Sequence, residues 1–117
     1  HPGLSLYLDL AHDERSLPES LQMTLYRIYQ ELMNNVVRHA QASHVFIRFR
    51  LDEQHAVLEV ADDGVGFRVP QNWLELARNG HLGLVGLRER VDIANGHVQI
   101  VSKPGCGTRV RVVVPRN

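Results

Sequence analysis

Apolar and polar residues alternate in five stretches of this chain, and each stretch predicts a β-strand. Successive side chains on a strand point to opposite faces, so a period of two is typical of strands with one face in the core. The apolar residues that carry this period are Leu4, Leu6, Leu8 and Leu10; Val45, Ile47, Phe49 and Leu51; Leu58 and Val60; Val98 and Ile100; and Val110, Val112 and Val114. The short segments 52–55 and 104–107 predict hairpins between the second and third strands and between the last two.

A helical period replaces this alternation from about Pro18 to Ala40. The sequence Ser16-Leu17-Pro18-Glu19 at its start matches a capping box, with the proline tolerated in the first turn. Apolar residues cover roughly half of the helix circumference at about 100° per residue, so we expect the helix to pack against the sheet and a further element. A second helix is predicted from Leu84 to Ala94, where Asn95-Gly96 forms a good C-terminal stop.

The predicted order is strand, helix, two strands, loop, helix and two strands. The loop covers residues 67–79, where the periodicity is weak and leaves room for one helical turn. Because both later strand pairs look like hairpins, we expect a mixed, mostly antiparallel sheet of about five strands with helices on one face. This architecture is an α/β two-layer sandwich. The chain shows no internal repeat, so residues 1–117 predict a single domain.

Size and composition narrow the class of protein. A chain of 117 residues can bury a real core, and 44% hydrophobic with 22% charged residues does not indicate disorder. The formal net charge is zero, so no global field favours nucleic acid. The single cysteine, Cys106, allows no intrachain disulfide and favours a reducing, cytoplasmic compartment. No apolar run reaches the roughly 20 residues of a membrane helix. Because the chain starts at His1, we expect a domain excised from a larger protein.

Strand parity gives two adjacent aspartates different surroundings. Asp62 shares a face with Leu58 and Val60, whereas Asp63 points to the other face. If the first face is the core, Asp62 is a buried carboxylate that needs a donor such as a purine amino group. The hydroxyl of Thr108 also points inward by parity, and the two groups together would suit an adenine edge. A carboxylate that caps its own Asp-Gly turn is an equally good interpretation.

Polar residues recur every four positions along the first predicted helix, at Glu31, Asn35 and His39. The amide of Asn35 lies at the border of the core, where it needs a partner, while Asn34 points to solvent. Magnesium accepts amide oxygens together with water and phosphate. Asn35 is therefore a candidate ligand, and Glu31 would hold a coordinated water. Arg38 would reach a phosphate or pair with Glu31. The simpler alternative is a polar pair on a helix surface.

Three glycine-containing segments follow this helix. They are Asp62-Asp63-Gly64-Val65-Gly66, Gly80-His81-Leu82-Gly83-Leu84-Val85-Gly86 and Gly105-Cys106-Gly107-Thr108. Glycine lets backbone approach a ligand closely, and the second segment precedes a helix, whose N-terminal amides bind phosphate oxygens. The spacing fits neither a dinucleotide fingerprint nor a P-loop, and each segment alone predicts only a turn. The seven histidines and one cysteine lack the spacing of a zinc site.

Taken in order, these motifs resemble the catalytic ATP-binding domain of two-component sensor histidine kinases, whose fold is shared with gyrase B, the Hsp90 chaperones and the MutL repair proteins. Residues 31–40 resemble the family's N box, 62–67 its first glycine box, 80–87 its second, and 105–108 its final glycine–threonine signature. The segments 26–31 and 88–90 are similar to the nitrate-sensor-like subgroup. The resemblance covers nearly the whole chain and implies the Bergerat ATP-binding fold.

This resemblance implies ATP and Mg²⁺ as ligands and a role for each motif. Asn35 would coordinate magnesium, Asp62 would accept a hydrogen bond from the adenine amino group, and Thr108 would support adenine through a water. Residues 67–79 would form a short lid. Glu31 and Asn35 are the expected catalytic residues. The positions expected to contact the nucleotide are Asn35, Arg38, His39, Asp62, Gly64, Gly66, Gly83, Leu84, Gly86 and Thr108.

The resemblance also implies partners. Kinases of this family phosphorylate a histidine on a separate dimeric helical domain, and His39 belongs to the N box and is not that acceptor. We therefore expect a domain that donates the γ-phosphate of ATP to the dimerisation domain of the same protein, upstream of a response regulator. The domain alone would be a monomer and the full-length protein a homodimer. Two alternatives are a related ATPase in which Glu31 activates water and a non-catalytic nucleotide-binding regulatory module.

Overall fold

The computed structural model of the protein describes residues 3–10 and 17–116, so Ser16 of the expected capping box lies outside the described residues. The elements follow the predicted order along the chain. The strands are β1 (Ser5–Leu10), β2 (His44–Leu51), β3 (His55–Asp62), β4 (His97–Ser102) and β5 (Thr108–Pro115). The helices are α1 (Glu19–Asn35), which continues into a π-helical turn (Val36–Ala40), α2 (Trp73–Arg78) and α3 (Leu82–Ile93).

The five strands form one sheet in the order β1-β2-β3-β5-β4. β1 is parallel to β2, and the other neighbouring pairs are antiparallel. The pairs β2–β3 and β4–β5 are the two predicted hairpins. Asp52 stabilises the first hairpin, because its Oδ1 accepts hydrogen bonds from the amides of Gln54 (2.7 Å) and His55 (2.6 Å). The prediction of a mixed, mostly antiparallel sheet is confirmed.

The core lies between one face of this sheet and the helices α1 and α3. Ile28 and Leu32 of α1 and Leu87 and Val91 of α3 are at most 1% exposed. They pack with buried side chains of the sheet at Val45, Ile47, Ala56, Leu58, Val60, Val110, Val112 and Val114. Each such Val, Ile or Leu side chain contributes about 1.5–3 kcal/mol by leaving water. The predicted two-layer sandwich with helices on one face is confirmed, and its core holds α1 and α3 side by side.

The helices differ from the sequence-based expectations in three details. Pro18 is the N-cap of α1 rather than part of its first turn. α3 begins at Leu82, two residues earlier than predicted. Residues 67–79 contain a complete short helix, α2, which is anchored by Leu76 at 1% exposure. A single buried leucine produces no helical period, so the pattern of this segment could not predict the helix.

The edge strand β1 has the predicted alternation without the expected burial. Leu6 and Leu8 lie beside Val45 and Ile47 of β2 and so point to the helical side of the sheet. They are nevertheless 53% and 63% exposed. The helices cover the central strands of the sheet, and a side chain at the edge can face inward and still remain in contact with solvent.

Candidate functional site

The C-terminal end of α1 carries the predicted N-box residues. Asn35 is half-buried and is the last residue of the regular helix, as its position at the core border predicted, and Asn34 is exposed. The wider turn that follows holds the exposed Arg38 and the half-buried His39. Such π-helical turns are rare and often occur at functional sites. The turn changes the direction of His39 relative to a regular helix.

A stack of rings joins three motifs that are distant in sequence. The ring centroid of His81 lies 4.3 Å from that of Phe67 and 4.7 Å from that of His39. The Nδ1 atom of His81 is also 3.5 Å from Oδ1 of Asn35. Burial, followed by the nearby His39, lowers the pKa of His81 and so favours its neutral ring. The N box and both glycine boxes therefore meet at His81.

Sequence reasoning missed His81 as a site residue. Its position in the sequence could have indicated a site residue, because His81 lies between the two glycines that begin the second glycine box. Its ring is half-buried rather than solvated. The contact between His81 and Asn35 depends on how α3 packs against α1, which strand parity and helical periodicity do not describe.

Glu31 contacts the start of α3. A Cβ added at Gly83 would lie 2.7 Å from Oε2 of Glu31, so glycine at this position lets the two helices approach each other at the carboxylate. Within residues 3–10 and 17–116, Glu31 and Arg38 form no ion pair with each other. Of the two roles considered for Arg38, pairing with Glu31 is therefore not observed, and contact with a phosphate stays a prediction.

Asp62 is buried at the end of β3, on the face that holds Leu58 and Val60. The amide of Gly64 donates to its Oδ1 over 2.8 Å. Burial raises the pKa of Asp62; backbone hydrogen bonds from Gly64 and Thr108 oppose this rise, and the charge of Asp63 adds to it. A carboxylate has two oxygens with about four acceptor sites. Capping of the turn and acceptance from a ligand are therefore compatible.

The adjacent Asp63 points to the opposite side, as parity predicted, and ties two strands together. Its Oδ1 accepts hydrogen bonds from the amides of Ser43 and His44, both at 2.9 Å, and its Oδ2 lies 2.7 Å from Nδ1 of His44. These contacts, led by the backbone amide of His44, lower the pKa of Asp63 to about 2. Asp63 thus has a structural role at the start of β2, whereas Asp62 faces the core.

Thr108 lies directly opposite Asp62 in the register of β3 and β5, and its side chain is buried. Its hydroxyl is 2.8 Å from the hydroxyl of Ser102. Ser102 Oγ donates to the carbonyl oxygen of Gly107 and accepts from the amide of Phe67, both at 2.9 Å. Ser102 is a second residue that the sequence reasoning missed, although strand parity places it on the inner face of β4.

Two glycines allow the loop after β3 and the hairpin between β4 and β5 to touch. Gly66 has φ +63°, and a Cβ there would collide with the backbone oxygen of Lys103. Gly107 has φ +74°, and a Cβ there would collide with the backbone oxygen of Asp62. Both positions require glycine for close backbone packing, which holds the Asp62–Thr108 pair in place.

Gly66→Ala is expected to lower the free energy of unfolding by about 3 kcal/mol, because it adds a backbone collision to a left-handed conformation. Urea unfolding followed by circular dichroism measures the change. Gly105→Ala is the matched control: Gly105 has φ +81°, but a Cβ there meets no atom within 4 Å. Its cost should be about 1 kcal/mol. Equal costs at the two positions would contradict the packing role of Gly66.

The remaining predicted contacts lie at the start of α3. A Cβ added at Gly86 meets no atom within 4 Å, so the helix surface is open there. Leu84 differs, because its side chain is 1% exposed and its amide donates to the carbonyl oxygen of His81 over 3.1 Å. A contact between Leu84 and a nucleotide would require this turn to open. The structure therefore supports Gly86 more than Leu84 as a nucleotide contact.

Two concavities adjoin the predicted site residues. One, of about 260 Å³, is lined by Asp62, Ser102 and Thr108, among others. The other, of about 450 Å³, is lined by Glu31 and the exposed side of α1. They share no described lining residue, and of the residues predicted for the phosphate end only Glu31 lines the larger one; Asn35, Arg38 and His39 line neither. The described part of the chain has no group of three His, Cys, Asp or Glu side chains that could hold a metal.

The family model for "Histidine kinase-, DNA gyrase B-, and HSP90-like ATPase" matches residues 20–117. This match covers well over half of the chain. The chain belongs to this family. The resemblance noted in the motifs is thus confirmed.

Curated relatives within the family are sensor kinases. The chain is 31% identical over 117 residues to the signal transduction histidine-protein kinase/phosphatase DegS of Brevibacillus brevis. This match covers 98% of this chain and 28% of DegS. It is 34% identical over 113 residues to the sensor histidine kinase NarS of Mycobacterium tuberculosis, which covers 97% of this chain and 25% of the relative. The chain thus spans about a quarter of these relatives. The match to NarS is consistent with the nitrate-sensor-like subgroup.

Solved structures confirm the fold. The histidine kinase domain of the blue-light activated histidine kinase EL346 from Erythrobacter litoralis superposes with a TM-score of 0.79 at 20% identity, over 99% of this chain and 53% of that one. The family model and the relatives, rather than this fold match, show that the domain is an ATP-binding domain of the type found in sensor histidine kinases. No helix in the described residues is long and apolar enough to span a membrane.

Proposed function

We propose that this domain binds Mg-ATP and donates the γ-phosphate to a histidine on a helical dimerisation domain of the same protein. The stack of His81 with Phe67 and His39 beside Asn35 carries the proposal, because it gathers the N box and both glycine boxes at one point. The family supports ATP as the ligand, and the sensor-kinase relatives support histidine as the acceptor.

At the base end of the site, Asp62 would accept a hydrogen bond from the adenine amino group. Its burial excludes water, which makes the carboxylate a strong acceptor for a matching donor and a costly one to leave unpaired. Thr108, opposite Asp62 in the sheet, would support the base through a water. Gly64 would hold one carboxylate oxygen in place through its amide.

At the phosphate end, the donor set suits magnesium. The Oδ1 of Asn35 is an oxygen ligand whose only described partner, His81 at 3.5 Å, is at the limit of a hydrogen bond, so this oxygen is available. Glu31 would orient a coordinated water. Gly86, where an added Cβ would meet no atom within 4 Å, would leave the first turns of α3 open to a phosphate that the helix amides attract, while Gly83 lies against the Glu31 carboxylate. Magnesium would supply neutralisation of the phosphate charge.

The contribution of this domain to catalysis would be positioning and charge stabilisation. A nitrogen of the acceptor imidazole would bond to the γ-phosphorus as the bond to the β–γ bridging oxygen breaks, and ADP would leave with that electron pair.

We also propose that a response regulator receives the phosphoryl group. The isolated domain would be a monomer, the full-length protein a homodimer, and the domain would act on the cytoplasmic side of a membrane or in the cytoplasm.

Two measurements test this function. Isothermal titration with a non-hydrolysable ATP analogue should show binding that depends on magnesium. The full-length protein incubated with ATP should acquire phosphate that is stable in base and labile in acid, as phosphohistidine is. A folded sample without magnesium-dependent binding would contradict the nucleotide assignment, and binding without phosphohistidine would contradict the transfer.

A second candidate function is a related ATPase, which is favoured by the position of the Glu31 carboxylate at the start of α3. In that case Glu31 would activate a water for attack on the γ-phosphate. Steady hydrolysis of ATP by the isolated domain, abolished in Glu31→Gln, would support this candidate. Nucleotide binding with neither hydrolysis nor transfer would instead support a regulatory module.

A further inference from the structure

Two histidine rings meet beside Asn35 with their planes inclined to each other. The ring centroids of His39 and His81 are 4.7 Å apart, and the angle between the rings is 48°. A Cβ added at Gly80 would lie 4.0 Å from Cε1 of His39, which is the carbon between its two ring nitrogens. The nitrogen-bearing part of the His39 ring thus lies next to the start of the second glycine box, where His81 follows.

The distance between His81 and Asn35 is long for a hydrogen bond. Nδ1 of His81 is 3.5 Å from Oδ1 of Asn35, whereas N–H···O bonds span roughly 2.7–3.2 Å. Two ligands at about 2.1 Å from one metal ion are about 3.4 Å apart at the tetrahedral angle and about 3.0 Å apart at the right angle of an octahedron. The observed separation therefore matches two ligands of a tetrahedral metal ion better than two ligands of an octahedral one.

The donor atoms indicate which metal fits. Imidazole nitrogens suit zinc, whereas magnesium prefers an octahedron of oxygen ligands. Zinc is typically tetrahedral, and two imidazoles on one zinc ion have ring centroids about 5 Å apart at that angle. The rings of His39 and His81 are close to this arrangement, at 4.7 Å. Asn35 would supply an oxygen as the third ligand, and water would complete the coordination.

This donor set differs from the other surroundings of histidine in residues 3–10 and 17–116. Nδ1 of His44, for example, lies 2.7 Å from Oδ2 of Asp63, so this nitrogen is already held by a short hydrogen bond. The contact of His39 with His81 is the one that joins two histidine rings in these described segments. Two imidazoles and an amide oxygen, rather than three acidic, thiol or imidazole groups, form the site.

We propose that His39, His81 and Asn35 bind a zinc ion in the nucleotide-free domain. Asn35 is also the proposed magnesium ligand, and its Oδ1 can serve only one of the two metals at a time. Zinc and Mg-ATP therefore exclude each other, and each weakens the binding of the other by the same factor. This exclusion rests on the proposed function, whereas the zinc site itself does not. Zinc would thus inhibit the kinase at the step of nucleotide binding.

Calorimetric titration of the nucleotide-free domain with zinc chloride tests the site. His81→Phe keeps a ring that can stack on Phe67 but removes both nitrogens. It should weaken zinc binding by more than about tenfold, since even the loss of a group that only orients a ligand costs about that much. His97→Phe is the matched control, because His97 is exposed at the start of β4, and it should change nothing. Equal affinities of the wild type and His81→Phe for zinc would overturn the proposal.

Cobalt(II) in place of zinc reports the geometry in the wild-type domain, without any substitution that could disturb folding. Tetrahedral cobalt(II) absorbs visible light strongly, and octahedral cobalt(II) absorbs it weakly. The wild type should give the strong tetrahedral spectrum, and His39→Phe should lose it. Cobalt bound with only the weak spectrum, or a strong spectrum that persists in both His39→Phe and His81→Phe, would contradict this set of ligands.

The exclusion is measured as the ratio of two Kd values for the magnesium-bound ATP analogue, with and without zinc. With zinc at ten times its own Kd for the domain, the ratio should be about ten in the wild type and in His97→Phe. Zinc also binds the phosphates of the analogue in solution, and His81→Phe provides the baseline for this effect. Equal ratios in the wild type and His81→Phe would overturn the exclusion.

The zinc site and the function of the domain fail in different ways. A domain that binds zinc through His81 but binds no ATP analogue contradicts the proposed function and leaves the zinc site in place. A domain that binds the analogue with magnesium but binds zinc no better than His81→Phe does contradicts the zinc site alone.

Discussion

Asn35→Ala is expected to weaken magnesium-dependent binding of a non-hydrolysable ATP analogue by about 100-fold, because it removes the proposed metal ligand. The residue is half-buried at the end of α1, and its Oδ1 faces His81 rather than the core. Isothermal titration with and without magnesium measures the effect. Binding in the absence of magnesium should change little, since the base end of the site is intact.

Asn34 provides the matched control for this experiment. It is the same residue type one position earlier, and it is exposed. Asn34→Ala should leave magnesium-dependent binding unchanged, and Asn35→Asp, which keeps an oxygen ligand, should restore part of what Asn35→Ala loses. If Asn34→Ala and Asn35→Ala weaken binding equally, Asn35 has no special relation to the metal.

Asp62→Asn is expected to weaken ATP-analogue binding by about 100-fold, because the buried acceptor for the adenine amino group loses its charge. Binding of the corresponding GTP analogue should change far less, so the ratio of the affinities for the ATP and GTP analogues should fall towards one. Asp63→Asn is the matched control, since Asp63 faces the opposite side and contacts Ser43 and His44. Equal affinities of the wild-type domain for ATP and GTP would contradict the adenine assignment.

The raised pKa of Asp62 also predicts how stability depends on pH. Burial favours the protonated carboxyl in the folded state, so the folded protein binds this proton more tightly than the unfolded chain. Ionisation of Asp62 therefore lowers the free energy of unfolding as pH rises from its ordinary value of 3.8 through its raised value. Asp62→Asn should unfold at higher urea than the wild type at pH 7, and this advantage should vanish below about pH 4.

If the difference in unfolding free energy between the wild type and Asp62→Asn is the same at both pH values, burial does not raise the pKa of Asp62. Loss of stability in Asp62→Asn at pH 7 would show that the carboxylate contributes more through its hydrogen bond with Gly64 than it costs through burial. The affinity for the ATP analogue should also fall on acidification, as the carboxylate of Asp62 is protonated. Because the pKa of Asp62 is raised, this fall should occur at a higher pH than for an ordinary aspartate.

Periodicity predicted most of the fold because its elements are long and regular. The strands and α1 bury one face each, so the period of two or of 3.6 residues is repeated several times in the sequence. The same argument separated Asp62 from Asp63, because parity depends only on position along a strand. It failed for α2, which is six residues long and buries only Leu76.

Residues that act across elements were harder to predict. His81 and Ser102 contact Asn35, Phe67 and Thr108, and these partners are separated from them by six to 46 positions along the chain. Gly66 was expected to approach a ligand, but its lack of a side chain is required by the backbone of Lys103. Leu84, expected at the nucleotide, is packed in the core. Contacts of this kind depend on the distance between elements, which no local pattern encodes.

The sequence by itself determined the class of fold, the inward direction of Asp62 and Thr108, and the four motifs of the ATP-binding domain. These depend on local geometry, which repeats along a strand or helix and is visible residue by residue. Only the tertiary structure decided that His81 joins Asn35 to Phe67 and that Gly83 lets Glu31 meet α3. These depend on how closely helices and loops pack, and close packing is a property of the whole folded chain.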